Sequence, residues 1–301
     1  MPESRRNKYL TDINKKFINQ NMIFVNENFA MQRIETREWY RAWFNSPYYY
    51  QLYFQRDEKE AQACIQRLIN FLQPPAGCRM VDVACGRGRH SLLLAQMGFD
   101  VTGFDLSINA INHAKQFERD NLHFYVHDMR SPFWINYFDY AFNFFTSFGY
   151  FATRREHDDA IRTIAASLRP GGIFVIDYLN VHFVEDHLVH NEAKNVSGTN
   201  YEIHRWDDES HFYKRIVIND VSFPIPEEHT ECVAKFSLGD FTEMLAFQNM
   251  QVLEVFGDYQ LIPYDVRKTP RMIIVAKKHQ TSHEPDEKKR LYSDGRGRGE
   301  M

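Results

Sequence analysis

Three short apolar runs in the middle of the chain each carry or meet an aspartate at their carboxyl end. They are Met80 to Ala84 with Asp82, Val101 to Phe104 ahead of Asp105, and Leu122 to Val126 ahead of Asp128. The acids stand twenty-three residues apart in both steps, which is room for one strand, one helix and their turns. Short apolar strands alternating with amphipathic stretches are the pattern of βαβ units, whose parallel strands are covered on both faces. Tyr140 to Phe145, Ile173 to Ile176, Gln251 to Val255 and Met272 to Ala276 continue the series. A doubly wound, mostly parallel α/β sheet is expected. Such a sheet brings the three acids to one edge, at the carboxyl ends of its strands, where ligands bind.

Start and stop signals bracket the helices between the strands. Asp57 with Glu60 reads as a capping box ahead of Cys64, Leu68, Phe71 and Leu72, and Pro74-Pro75 stops the run. Thr153 with Glu156 is a second box, ahead of Ile161, Ile164, Ala165 and Leu168, and Pro170-Gly171-Gly172 breaks that helix. Ser107 can cap a helix carrying Ala110, Ala114 and Phe117, and Asp240 with Glu243 is expected to open a late one.

Two segments depart from the alternation. Residues 35–56 are dense in aromatics, among them Trp39, Tyr40, Trp43, Phe44, Tyr49 and Tyr53, and predict a helical flap that packs on something. Residues 199–236 carry apolar residues in alternation around a polar Asp207-Asp208-Glu209-Ser210 turn, the pattern of an antiparallel insert. The organisation expected is a tail and flap over 1–55, a main domain over 56–278 with the insert at 190–236, and a disordered tail over 279–301.

Composition narrows the partners. A 301-residue chain with a formal charge of −4 has no general basic field for nucleic acid. No apolar stretch reaches the roughly 18 residues that span a bilayer, and residues 1–20 lack the apolar centre of a signal peptide. Cys64, Cys78, Cys85 and Cys232 show no Cys-x-x-Cys spacing, so a reduced cytoplasmic protein without a metal site is expected, as monomer or homodimer.

The stretch Val81-Asp82-Val83-Ala84-Cys85-Gly86-Arg87-Gly88-Arg89-His90 runs from a strand through Gly-x-Gly into a helix. Glycines there let the backbone approach a ligand, beside the unpaired N–H groups of the helix start. A tight turn also explains Gly-x-Gly, and strand-end turns or caps also explain isolated aspartates. A dinucleotide fingerprint wants a third glycine for the pyrophosphate, and Ser91 occupies that position. An acid before the turn suits a cofactor with a cationic amine and no phosphate, such as S-adenosylmethionine.

Residues 81–107 resemble the first motifs of the class I S-adenosylmethionine-dependent methyltransferases: an acid followed by alternating glycines, an acid ending strand two, an acid after strand three. The likeness continues through Phe138-Asp139-Tyr140 and Leu168-Arg169-Pro170-Gly171-Gly172, covering roughly residues 56–278. Ala84 stands where many members have glycine. The resemblance implies a seven-stranded Rossmann-like methyltransferase fold. It implies that Asp82, Ala84, Cys85, Gly86, Gly88 and His90 form the methionine end of the cofactor site. Asp105 and Leu106 would take the ribose, and Asp128 and Met129 the adenine. Asn143, Phe144 and Phe145 would lie beneath the sulfonium. By fold analogy Tyr49, Tyr53 and Arg56 would close over the cofactor, with Arg56 facing the methionine carboxylate; packing of the flap on the sheet edge is the plainer reading of the tyrosines. The insert resembles, on patterning alone, a cap found in small-molecule N-methyltransferases.

Methyl transfer needs alignment, a dry site and at most one base. Tyr150, Asp177 and His182 are the candidates for that chemistry: Tyr150 lies beyond the fourth strand, and Asp177 ends the fifth and leads into His182. The expected function is methylation of a small-molecule nitrogen or oxygen. RNA or protein as acceptor, a nicotinamide oxidoreductase and a non-catalytic nucleotide-binding protein remain the alternatives. Cys85 as a nucleophile lacks a visible base.

Overall fold

The computed structural model describes residues 38–53, 58–220 and 225–279. Its strands are β1 (Arg79–Val83), β2 (Asp100–Asp105), β3 (Leu122–Val126), β4 (Phe138–Asn143), β5 (Leu168–Leu179), β6 (Asn191–Val196), β7 (Thr199–Asp207), β8 (His211–Asn219), β9 (Glu227–Ala234), β10 (Met250–Phe256) and β11 (Arg271–Lys278). Helices α1 (Trp39–Trp43), α2 (Pro47–Tyr53), α3 (Glu58–Leu72), α4 (Arg89–Gln96), α5 (Ile108–Ala114), α6 (Arg154–Ser167), α7 (Val181–Asp186) and α8 (Leu238–Phe247) connect them. The tail beyond residue 279, Arg56 and the Asp57 cap lie outside the described residues.

Seven strands form one sheet in the order β10-β11-β5-β4-β1-β2-β3. Pairings among β1 to β5 are parallel; β11 lies antiparallel to both β5 and β10. Chain order reverses between β1 and β4, which makes that pair the switch point where a ligand crevice opens in such sheets. Register aligns the strand ends: Val83 sits beside Phe104, and Asp105 beside Val126. One apolar cluster on each face, around Phe174 and Ile161 on one side and Met80 and Leu94 on the other, buries the sheet between helices.

Most caps form where expected. Thr153 and Glu156 make a full capping box, and the Ser107 side chain accepts from the Ala110 N–H. The late helix is a correction. Its box is Ser237 with Asp240, because Ser237 is extended and the Asp240 carboxylate reaches back to the Ser237 N–H at 2.8 Å. Glu243 pairs with Arg154 on α6 instead.

The insert is a separate four-stranded antiparallel sheet, β6-β7-β8-β9. Strand β6 is largely exposed and polar, so no apolar alternation announced it. The flap is helical as expected and sits between the two sheets. Trp43 and Leu52 pack on Tyr201, Ile203, Ile216 and Ile218 of the insert. Asn45 reaches the other way, accepting from Ser107 Oγ at 2.8 Å. No helix among the described residues is long and apolar enough to cross a membrane.

Candidate active site

A cavity of about 880 Å³ opens at the carboxyl ends of β1, β2 and β4, runs beneath the flap and ends on the inner face of the second sheet. Its size lies within the range of ligand sites of roughly 300–1,000 Å³. Ala84, Gly86, Asp105, Leu106, Asp128 and Met129 line the near end, and Tyr49, Tyr53 and Tyr150 line the middle.

The turn after β1 is tightly constrained. Ala84 takes a left-handed φ of +57°, tolerable for alanine but the reason glycine is commoner in such a turn. Gly88 caps α4 at φ +78°, and a Cβ there would lie 2.5 Å from Phe124. The Gly86 N–H donates to Asp105 at 2.9 Å and the Ser107 N–H at 2.7 Å. Burial pushes the Asp105 carboxyl up, against these two hydrogen bonds. Asp128 is held by Arg130, Nη2 to Oδ2 at 2.7 Å, with Arg41 of the flap at 3.4 Å. Burial raises its carboxyl, but Arg130 outweighs that and the net shift is downward.

Beyond β4 the backbone is strained: Phe145 and Thr146 both stand at φ +57°. Asp177 holds them there. Its Oδ2 accepts from the Phe145 N–H at 2.9 Å, and its backbone oxygen accepts from the Thr146 N–H at 2.9 Å. Arg271 completes the brace, donating to Asp177 Oδ1 from Nε at 2.8 Å and to Thr146 Oγ1 from Nη2 at 2.8 Å. Tyr150 donates from its hydroxyl to the Thr146 oxygen. Phe145, Thr146, Tyr150, Tyr259 and Arg271 face the cavity from this side.

The far wall comes from the insert and the flap. Glu231 Oε1 accepts from Trp43 Nε1 at 2.7 Å and from the Tyr53 hydroxyl at 2.6 Å. Lys214 donates from Nζ to the Tyr53 hydroxyl. Lys194 and Arg205 also line this end.

Several expected site residues stand elsewhere. Asp82 is 1% exposed and accepts from Ser91 Oγ at 2.6 Å, so it braces the start of α4 rather than facing the cavity. Burial pushes its carboxyl up to about 7. Cys85 is buried, its thiol driven up by that burial, which leaves it inert as a nucleophile. His90 stacks behind Phe145 at 5.0 Å, and burial drives its imidazole down to about 3, so it stays neutral. Phe144 is core, stacked on Phe142. Gly88 lies behind the turn, against Phe124. Asp177 is 1% exposed and acts as a brace, not as a group facing substrate. His182 is a correction in place: it sits exposed on α7 beside Glu185 at 3.1 Å, next to a separate pocket of about 320 Å³. Sequence reasoning missed Lys194, Arg205, Lys214, Glu231, Tyr259 and Arg271. The near signal was alternation within the insert, which marks Arg205 and Lys214 as facing the same side as Ile203 and Ile216.

A family model described as "Methyltransferase domain" matches residues 74–249. This chain belongs to the class I S-adenosylmethionine-dependent methyltransferases. Glycine N-methyltransferase of Rattus norvegicus is 32% identical over 126 residues, 36% of this chain and 43% of that one. The dTDP-3-amino-3,4,6-trideoxy-alpha-D-glucopyranose N,N-dimethyltransferase of Streptomyces venezuelae is 33% identical over 104 residues, 34% of this chain and 43% of that one. The matches thus span less than half the length of these curated relatives. Among solved structures, an S-adenosylmethionine-dependent methyltransferase from Clostridium acetobutylicum ATCC 824 shares the fold, with a TM-score of 0.66 at 16% identity over 77% of this chain and 96% of that one.

The residues of this chain fit the family's cofactor. Asp105 presents a carboxylate to the cavity between two backbone donors, where diol hydroxyls can be accepted. Asn143, at the end of β4, gives its Nδ2 to the Val83 oxygen at 3.0 Å. Its Oδ1 has no hydrogen-bond partner among the described residues, but the side chain is fully buried and does not line the cavity. Among the described residues no three His, Cys, Asp or Glu side chains gather where a metal could sit.

Proposed function

We propose that the protein transfers the methyl group of S-adenosylmethionine to the amine of a small molecule. The observation that carries this reading is the continuity of the cavity, from Asp105 and the Gly86 turn at one end to Glu231 on the insert at the other, under an aromatic roof. Both named relatives act, by their names, on amines of small molecules. A roofed cavity of this size suits a metabolite better than a nucleic-acid strand.

The bound cofactor supplies a sulfonium methyl that a nucleophile attacks in line. The chain contributes position and dryness. Gly86 and Asp105 orient the nucleoside end, with Leu106, Asp128 and Met129 around the base. Phe145, Tyr150, Trp39 and Phe44 exclude water, and their ring faces tolerate a neighbouring cation. Tyr49 and Tyr53 belong to the roof. Glu231 is the carboxylate of the far wall among the described residues, and its Oε2 can take the proton an ammonium acceptor must shed.

Calorimetry with S-adenosylhomocysteine tests the first half, and transfer of labelled methyl from S-adenosylmethionine to a panel of small amines tests the second. Absence of S-adenosylhomocysteine binding ends the reading. Transfer to tRNA or to protein, with none to small amines, replaces the acceptor.

A further inference from the structure

We propose that Arg130 is a positioning residue for the cofactor's base: it fixes the Asp128 carboxylate and ties it to the flap. This rests on the assignment of the Asp128 end of the cavity to the base. Asp128 lines the cavity, and Arg130 does not. Asp128 follows β3 and lies outside its ladder with β2, so no strand pairing holds it.

Arg130 supplies what the ladder does not. Asp128 Oδ1 accepts from the Arg130 backbone N–H at 3.0 Å and from Nε at 3.1 Å, and Oδ2 accepts from Nη2 at 2.7 Å. A planar guanidinium that engages both oxygens sets the plane of the carboxylate. A carboxylate has about four lone-pair sites, and these bonds take three. Arg41 stands at the fourth, on Oδ2 at 3.4 Å, while its Nε holds Glu38 at 2.6 Å. That long contact is the one a ligand N–H replaces. An ionised carboxylate only accepts, so the group it selects on a base is an amino group and not a carbonyl.

The same guanidinium is anchored on two further sides. Nη1 donates to Glu156 Oε1 at 2.8 Å, in the first turn of α6, and Nη2 donates to Glu38 Oε1 at 3.1 Å, at the start of α1 in the flap. Thr163 of α6 also donates to the Met129 backbone oxygen. The Arg130 side chain is 17% exposed, and its guanidinium lies 4.9 Å from the ring of Phe151, which lines the cavity. Arg130 thus sits where the flap, α6 and the acid meet. One side chain orients the acceptor of the base and holds the flap to it.

The test compares S-adenosylhomocysteine with S-inosylhomocysteine, which carries a 6-oxo group in place of the 6-amino group, by calorimetry on the full chain. Wild-type protein is expected to bind the first about tenfold tighter or more, because the 6-oxo group sets an oxygen against Asp128. Arg130→Met is expected to weaken S-adenosylhomocysteine binding at least tenfold and to bring the two affinities within threefold. Arg162→Met, at an exposed residue of α6 paired with Asp159, leaves the preference unchanged. Should Arg130→Met fail to fold, Arg130→Lys is read instead: it keeps the charge, loses the fork and is expected to lower the preference at least threefold. Glu38→Gln is expected to speed S-adenosylhomocysteine dissociation several-fold with the preference kept. Equal weakening of both ligands on loss of Arg130 makes it a merely structural residue and overturns the inference. So does wild-type protein that binds both ligands alike, or a dissociation rate that Glu38→Gln leaves unchanged. Failure of the wild type to bind S-adenosylhomocysteine defeats the methyltransferase reading itself.

Discussion

The Gly86 N–H donates to Asp105 Oδ2 at 2.9 Å, so the turn after the first strand and the acid ending the second are joined into one unit. The second carboxylate oxygen is occupied by the Ser107 N–H at 2.7 Å. Backbone donors thus set the orientation in which Asp105 meets a ligand, and little reorganisation remains at binding.

Asp105→Ala removes that acceptor and frees the turn. S-adenosylhomocysteine affinity is expected to fall by about 1.5–3 kcal/mol, the range for hydrogen bonds to a charged group. Calorimetry measures it, and an affinity within a factor of two of the wild type contradicts the assignment. Asp105→Asn, which keeps one acceptor oxygen, is expected to fall between the two.

Gly88→Ala tests the packing behind the turn. The added Cβ would stand 2.5 Å from the Phe124 ring, at a φ of +78°. Overpacking costs about 1–3 kcal/mol, and the left-handed backbone adds about 1–2 kcal/mol. Denaturant unfolding should show the loss of stability. Because Gly88 lies behind the turn, the folded fraction should still bind S-adenosylhomocysteine, more weakly.

Opposed buried groups shape the pH dependence. His90 and His157 are pushed by burial down to about 3 and about 4. Between those values and the usual 6.5 the unfolded chain binds protons the native state refuses, so their contribution to stability rises with pH. Asp82, pushed by burial up to about 7, does the reverse: the native state keeps a proton the unfolded chain loses above roughly pH 4, so stability falls as pH climbs toward 7. Asp82→Asn removes only the second effect and keeps an acceptor for Ser91. The gain in unfolding free energy from pH 4.5 to 6.5 is therefore expected to be larger in Asp82→Asn than in the wild type. An equal or smaller gain means that Asp82 is ionised in the folded protein across this range.

Asp177 and Arg271 should behave as one device. Removing one partner of a buried ion pair leaves a charge uncompensated and costs about 3–5 kcal/mol. Asp177→Asn and Arg271→Met are each expected to lower the melting temperature sharply, because the Phe145–Thr146 strain loses its brace. The double variant is expected to lose less than the sum of the two. Strict additivity would show that the two side chains do not cooperate.

How far the sequence could be read follows from which signals are local. Strand ends, the Thr153 box and the Ser107 cap depend on neighbours within four residues, and most stand within a residue or two of expectation; β5 is the exception, running Leu168–Leu179 where Ile173 to Ile176 was expected. The row of Asp82, Asp105 and Asp128 at one edge followed from strand spacing alone. Spacing does not say which way a side chain points, and Asp82 turned inward to Ser91. Asp177 looked catalytic because acids at strand ends often are, yet its function is to hold two left-handed residues that no local pattern announces. Arg271 lies 94 positions from Asp177 in the chain. Lys214 and Glu231 meet Tyr53 only because the flap folds over the insert. These contacts are set by tertiary structure, beyond the reach of any periodicity.

The flap supplies the last prediction. It is tied to the strand ends through Asn45, whose Oδ1 accepts from Ser107 Oγ at 2.8 Å and whose backbone oxygen accepts from Asn109 Nδ2 at 3.1 Å. On its other side Trp43 is fully buried against the insert and bonded to Glu231. Asn45 is one of several ties on the strand-end side, where Tyr40 is buried in the main core, Glu38 pairs with Arg130 at 3.1 Å and Arg41 with Asp128 at 3.4 Å; its own hydrogen bonds contribute about 1 kcal/mol each, whereas Trp43 buries a whole indole. The Asn45 hydrogen bonds reach Ser107, which itself bonds Asp105, so their loss should loosen the flap beside Asp105 while Trp43 stays seated. Asn45→Ala is expected to raise the dissociation rate of S-adenosylhomocysteine several-fold with little change in melting temperature. Trp43→Ala is expected to lower the melting temperature by destabilising about 3–5 kcal/mol of packing. Stopped-flow dissociation and thermal unfolding separate the two. If Asn45→Ala leaves the dissociation rate untouched, the flap does not open at the strand ends, and entry to the cavity lies on the side of the insert.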